Sequence, residues 1–157
     1  MPGKQFPKTF LRAVGRIGWA RTLWVKGIRW ALRYLPLPQK IIEIFMWEVP
    51  TYLLGDTYRV VTTLGTGITL EVGLDDSLSR HVLFYSSWND YIYEPQTLRL
   101  ALRLQKPIGT TLIAGGHIGY HALHLAKASQ ASGGRVVVFE PVEIFYKRLV
   151  CNKELSR

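Results

Sequence analysis

Hydrophobic and polar positions over the first 35 residues recur with a helical period. On a wheel of about 100° per residue, Phe10, Val14, Ile17, Trp24, Ile28, Leu32 and Leu35 gather on one side. Lys8, Arg12, Arg16, Lys26, Arg29 and Arg33 gather on the other, and Arg21 alone sits on the apolar side. Gly15, Gly18 and Gly27 each weaken such a helix by about 1 kcal/mol relative to alanine. Pro36 and Pro38 end it. Residues 39–47 (QKIIEIFMW) then predict a short helix closed by Pro50. The pattern changes to alternation in TYRVVTTL, GITLEVG and RHVLFYS, which predicts a small antiparallel meander with Gly65-Thr66-Gly67 at its first turn. Glu94-Pro95 opens a further helix, EPQTLRLALRLQK, whose Leu98, Ala101, Leu102 and Gln105 share a face.

From residue 110 the periods switch in a defined order. TTLIA, GGHIG, YHALHLAKASQA, RVVVFE and PVEIFYKRLVCNKEL predict strand, loop, helix, strand and helix, with Gly133-Gly134 closing the first helix. This order is half of a nucleotide-binding α/β unit, in which a ligand approaches the backbone of a glycine loop at a helix N-terminus. An acid at the tip of the next strand then receives the two ribose hydroxyls. Glu140 follows Gly119 by 21 residues, near the expected spacing of about 20. Three segments result: a basic helical arm (1–40), a meander plus helix acting as a cap or entry layer (41–106), and the half-unit (107–157).

Composition narrows the class. With 157 residues, 48% apolar and 20% charged, the chain reads as globular. No run of about 18 to 20 apolar residues is present to form a membrane-spanning helix. Cys151 is the single cysteine, so no intrachain disulfide forms, and a reducing, cytoplasmic setting is expected. The net charge of +9 is wholly N-terminal: residues 1–40 hold nine Lys or Arg and no acid, and the remainder holds eleven of each sign.

Two readings of the arm stand side by side. Residues 8–35 make peripheral contact with an anionic inner membrane face, each cation contributing about 1 kcal/mol near the headgroups. Alternatively, the apolar side packs on the rest of the protein or on a second subunit. Nucleic acid fits less well because no binding-module pattern accompanies the charge. An organelle presequence is disfavoured by the lack of serine in the first 40 residues.

Two ligands fit the half-unit. In one register Ala114-x-Gly116-x-x-Gly119 stands one substitution from the dinucleotide fingerprint, which keeps NAD open. In the other register the glycines that matter are Gly115 and Gly119. GGHIGYHALHLAKA followed by GGRVVVFEPVEIFYKRLVCNKEL resembles the start of FkbM-type S-adenosylmethionine-dependent methyltransferases. That family shows an acid, then G-A-N-I-G-Y with a helix, then a strand ending F-E-P and a helix with an N-x-x-L-type ending. The resemblance covers about residues 94–157 and takes in Glu94-Pro95, similar to a Y-E-P segment that often precedes the domain.

The resemblance implies an α/β fold that is an incomplete Rossmann-like class I methyltransferase domain. It implies S-adenosylmethionine as cofactor, with Glu140 on the ribose and Gly115, Gly116, His117 and Gly119 beneath the methionine. Tyr120 and Glu94 complete the matched positions. The implied reaction is O-methylation of a sugar, lipid-linked or natural-product hydroxyl, and no residue is assigned to catalysis. Two departures stand out: the family's first-strand acid falls on Ile113, and its loop Asn falls on His117. The family's later strands have no counterpart after Arg157, so the expectation is a fragment, a half completed elsewhere with self-association, or a non-catalytic remnant acting through its arm. His117, His121 and His124 recur at i, i+4 and i+7 and so share a helical face that suggests metal, but no cysteine lies nearby and no acid lies within fifteen residues on either side, so the expectation is no metal site and a helix flank beside the core.

Overall fold

The computed structural model describes residues 11, 13, 15–55, 57–86 and 92–157. The protein is mixed α/β and divides into two compact units. One comprises residues 1–60 and 72–88, and the other residues 61–71 and 89–157.

The first unit is built on helices. Helix α1 (Gly18–Tyr34) is followed by α2 (Gln39–Glu43), a π turn (Ile44–Glu48) and α3 (Val49–Leu53). Pro50 does not close this run, contrary to the sequence expectation. The π turn passes the Val49 N–H back to Ile44 O, five residues away, and α3 continues through the proline at its start. Without an N–H on Pro50, the Met46 carbonyl four residues earlier loses its helical donor. Arg80 supplies the replacement: its Nη1 donates to Met46 O and Trp47 O (3.1 and 3.2 Å), Nη2 to Thr51 Oγ1 (3.2 Å) and Nε to Leu74 O (2.7 Å). Arg80 is buried, and its guanidinium lies 5.1 Å from the Trp47 ring centroid.

Arg80 belongs to α4 (Ser77–Tyr85), where the sequence predicted a third strand. The correction has a local cause. The Asp76 side chain accepts from Ser79 N–H at 2.8 Å and starts a helix, overriding the β propensity of VLFY. Val82, Leu83 and Phe84 are all fully buried. The meander therefore reduces to two paired strands, β1 (Arg59–Thr63) and β2 (Thr69–Gly73), joined by a connection too short for anything but antiparallel pairing.

Helix α1 packs on α4, with Trp24 edge-on to Phe84 (centroids 5.9 Å) and Val25 and Leu32 buried. Arg29 departs from the polar face assigned to it. Its Nε donates to Leu83 O (2.6 Å) and its Nη2 to Ser86 Oγ (3.2 Å), placing a cation at the negative end of α4. Lys8, Phe10, Arg12 and Val14 of the predicted arm lie outside the described residues.

The second unit contains α5 (Pro95–Leu104), β3 (Thr110–Ala114), α6 (Tyr120–Gln130), β4 (Arg135–Phe139) and α7 (Glu143–Leu155), in the predicted order. Strands β3 and β4 pair in parallel, from Thr110 opposite Arg135 to Ala114 opposite Phe139. Leu98 on α5 is buried as expected, whereas Leu102 is exposed. Gln105 Nε2, just past α5, lies within hydrogen-bonding reach of Ser129 Oγ (2.6 Å), Leu125 O (3.1 Å) and Thr111 Oγ1 (3.3 Å). Ile118, Tyr120, Ala122 and Leu125 form the core with Leu64, Ile68 and Leu70. No described helix is long and apolar enough to cross a membrane.

Replacing Arg80 by Met keeps much of the bulk but strands buried carbonyls at Met46 and Leu74. Urea unfolding of Arg80→Met is expected to show a loss of at least about 3 kcal/mol. An unchanged midpoint would remove Arg80 from this role.

Candidate functional site

The parallel pair β3 and β4 delivers two chain ends to the same place. After Ala114 the chain bends through Gly115 (φ 80°), Gly116, His117 (φ 49°), Ile118 and Gly119 (φ 93°) into α6. Gly115 and Gly119 hold left-handed backbone that a side chain would strain, and a Cβ built on Gly115 meets nothing within 4 Å. Gly116 is needed for a different reason: a Cβ there would overlap Val138 Cγ1 and lie 2.8 Å from Leu149 Cδ1. The bend is thus pressed against β4 and α7. The N–H groups of Gly115 and Gly116 both donate to Phe139 O (2.8 and 3.1 Å).

The next residue along β4 is Glu140, and its carboxylate turns into this bend. Oε2 accepts from His117 N–H at 2.7 Å, and Oε1 accepts from Val142 N–H at 2.8 Å. A carboxylate has about four acceptor positions, so two backbone donors leave capacity for two hydroxyls. The first turn of α6 begins on Gly119, which has no side chain to cap it. The bend's far side is fixed by Asn152 of α7, fully buried, whose Nδ2 donates to Ile118 O (2.8 Å) and whose Oδ1 accepts from Glu71 N–H (2.6 Å). The sequence pointed to Asn152 only through the N-x-x-L ending; its tie to the bend comes from the structure.

The remaining predicted residues divide. Tyr120 is core: it is buried, and its hydroxyl accepts from Tyr93 N–H at 2.8 Å. Glu94 precedes α5 in left-handed backbone (φ 47°), and its Oε2 stands 3.9 Å from His121 Nε2. Gly115, Gly116, His117, Gly119 and Glu140 come together at the bend, while Glu94 approaches α6 one residue after Tyr120. Ile113 is half-buried on β3 and brings no charge there.

The three histidines do not share one helical face, because His117 lies in the bend ahead of α6. Its ring packs on Phe145 with centroids 3.9 Å apart. His124 is buried, with Nδ1 2.7 Å from Tyr120 O and Nε2 3.1 Å from Thr66 Oγ1. A carbonyl can only accept, so Nδ1 carries the proton and neutral Nε2 accepts from the threonine. Among the described residues no group of three His, Cys, Asp or Glu side chains is arranged to hold a metal ion. A hollow of about 450 Å³ lined by Ala101, Leu104, Gln105 and Thr110 lies at the start of β3, away from the strand ends where α/β sheets bind ligands.

Burial pushes the His124 imidazole below its usual value, countered in part by its bond to Tyr120 and reinforced by His121 and Lys127. Burial also lowers His121, against the pull of Glu94. The unfolded chain therefore binds these protons first, so stability present above about pH 6.5 falls as pH drops below it and through the lower folded values. Thermal melts from pH 8 to 5 are expected to show this fall, and His124→Gln is expected to flatten it. An equally steep profile in the variant would assign the effect elsewhere. No family profile, no curated protein and no solved structure matches this chain.

Proposed function

We propose that residues 107–157 form the cofactor-binding half of a Rossmann-like, class I S-adenosylmethionine-dependent methyltransferase, with a sugar, lipid-linked or natural-product hydroxyl as acceptor. The observation that carries this reading is the Glu140 carboxylate at 2.7 Å from the backbone of the glycine bend. An acid so placed can accept the two ribose hydroxyls of an adenosyl group while the same group lies against Gly115. The uncapped first turn of α6 adds backbone donors beside it.

The register of the bend favours S-adenosylmethionine over a dinucleotide. Left-handed backbone falls at Gly115 and Gly119, the pair of the methyltransferase register. The dinucleotide register would place its tight turn at Ala114, which instead ends β3 in extended form, and its second glycine, Gly116, is engaged in packing.

The cofactor, when bound, supplies a methyl group on a sulfonium for in-line displacement. The chain's own contribution at this site is positional: Glu140 fixes the ribose and the bend fixes the approach. Ile113 leaves the amino-acid end of the cofactor without a carboxylate from β3, so binding is expected to be weaker by about tenfold to a hundredfold than where an acid stands there.

Titration calorimetry with S-adenosylhomocysteine is expected to give saturable heat. Glu140→Gln is expected to weaken it by about tenfold to a hundredfold, the equivalent of one charge-assisted hydrogen bond of about 1.5 to 3 kcal/mol. A melting curve of the variant checks that the bend persists without the full charge. A rise in melting temperature with NAD and none with S-adenosylhomocysteine would transfer the site to dinucleotides. No response to either would leave a non-catalytic remnant as the reading.

A further inference from the structure

Helix α1 turns one face to α4 and presents another to solvent. That outer stripe carries Trp19, Leu23, Trp30 and Tyr34, which are 66%, 59%, 57% and 61% exposed. They sit at i, i+4, i+11 and i+15, within about 60° of one another on the wheel. Scattered exposed apolar residues are ordinary, but four bulky ones in a line on one helix mark a contact surface. The stripe differs from the apolar face read from the sequence, since Trp24, Ile28 and Leu32 of that face are turned toward the unit's own interior.

Cations border the stripe. Lys26 and Arg33 flank it, and together with Arg29, Trp30 and Tyr34 they line a shallow hollow of about 260 Å³. The rings of Trp30 and Tyr34 lie 5.8 Å apart, with the Arg33 guanidinium 5.4 Å from the Tyr34 centroid. Arg29 is anchored beneath by Leu83 O, so this wall of the hollow is fixed. Residues 1–40 contain no Asp or Glu.

We propose that this outer face of α1 docks on an anionic phospholipid surface. Trp19, Leu23, Trp30 and Tyr34 enter the interfacial zone, where amphipathic rings are favoured. Lys26 and Arg33 meet lipid phosphates, the hollow receiving one headgroup. Charge selects this occupant. A second copy docking through the same face would set Lys26 and Arg33 against their like, whereas an anionic bilayer is complementary to both. A nucleic-acid duplex would satisfy the cations but leave Leu23 and the ring stripe without an apolar partner.

The test uses the full chain and sedimented vesicles of phosphatidylcholine, alone or with about one-third phosphatidylserine, at low and high salt. Binding is expected to be at least about tenfold stronger on the anionic vesicles and to weaken as salt rises. Lys26→Glu with Arg33→Glu is expected to reduce it at least about tenfold, whereas Arg99→Glu with Arg103→Glu, both exposed on α5, is expected to leave it unchanged. Trp19→Ser with Trp30→Ser is expected to cost about tenfold, and Trp19→Phe with Trp30→Phe to retain most of the binding. Circular dichroism of each variant is expected to match the parent. Equal partition onto neutral and anionic vesicles, or insensitivity to both sets of α1 variants, would overturn the proposal. So would finding that the serine variant abolishes self-association or duplex binding while vesicle binding persists.

Discussion

The second unit depends on one carboxylate that receives two backbone N–H groups at the end of a strand. Through Glu140 the chain ends of β3 and β4 are tied to each other as well as to the sheet: His117 N–H from the bend and Val142 N–H from the turn into α7 meet on opposite oxygens. The ties reinforce one another, because Phe139 O takes Gly115 and Gly116 from the residue just before. Asn152 then holds Ile118 O from the far side. A bend containing three residues in left-handed backbone would otherwise be costly to keep in one conformation. Fixing it before any ligand arrives is what lets a loop of this kind bind without a large ordering cost.

The first unit solves a different problem with arginine. A proline inside a helical run and the C-terminal end of α4 both leave carbonyls short of donors. Arg80 serves Met46, Trp47 and Leu74, and Arg29 serves Leu83. A planar group with five donors suits several carbonyls at once, which a lysine could not reproduce. Two of the chain's many cations are thereby turned inward.

How much of this was legible follows from what each pattern encodes. The run from β3 to α7 was readable because its periods change sharply and because glycine clusters separate them, so its elements fall where the sequence put them. Glu140 was readable by its place at the end of VVVF. Helix α4 was misread because Val82, Leu83, Phe84 and Tyr85 have strand propensity and the first three are buried in an unbroken run, while the deciding signal, Asp76 capping Ser79, is a single pair. Pro50 was read as a stop because a π turn cannot be seen in hydrophobic period. Arg29 was misassigned because a helical wheel sends every charge to water and knows nothing of carbonyls waiting at another helix's end. His117 fell off its predicted face because only backbone angles reveal that the helix starts at Tyr120.

The sheet of the second unit carries the same logic to its surface. Along both strands, half-buried residues alternate with exposed ones: Thr111, Ile113, Val136 and Val138 are covered, and Leu112, Val137 and Phe139 are open. Parallel strands are ordinarily covered on both faces, since their crossovers place helices there. Here α6 packs against β4 and covers one side. An exposed apolar row of this kind, next to the carboxyl ends of the strands, is surface that any further layer would take out of water. Covering it would remove Leu112 and Phe139 from water and lower the dielectric around Glu140. That would strengthen the carboxylate's hold on any hydroxyl it accepts, so burial of this row and the strength of hydrogen bonds at Glu140 are linked.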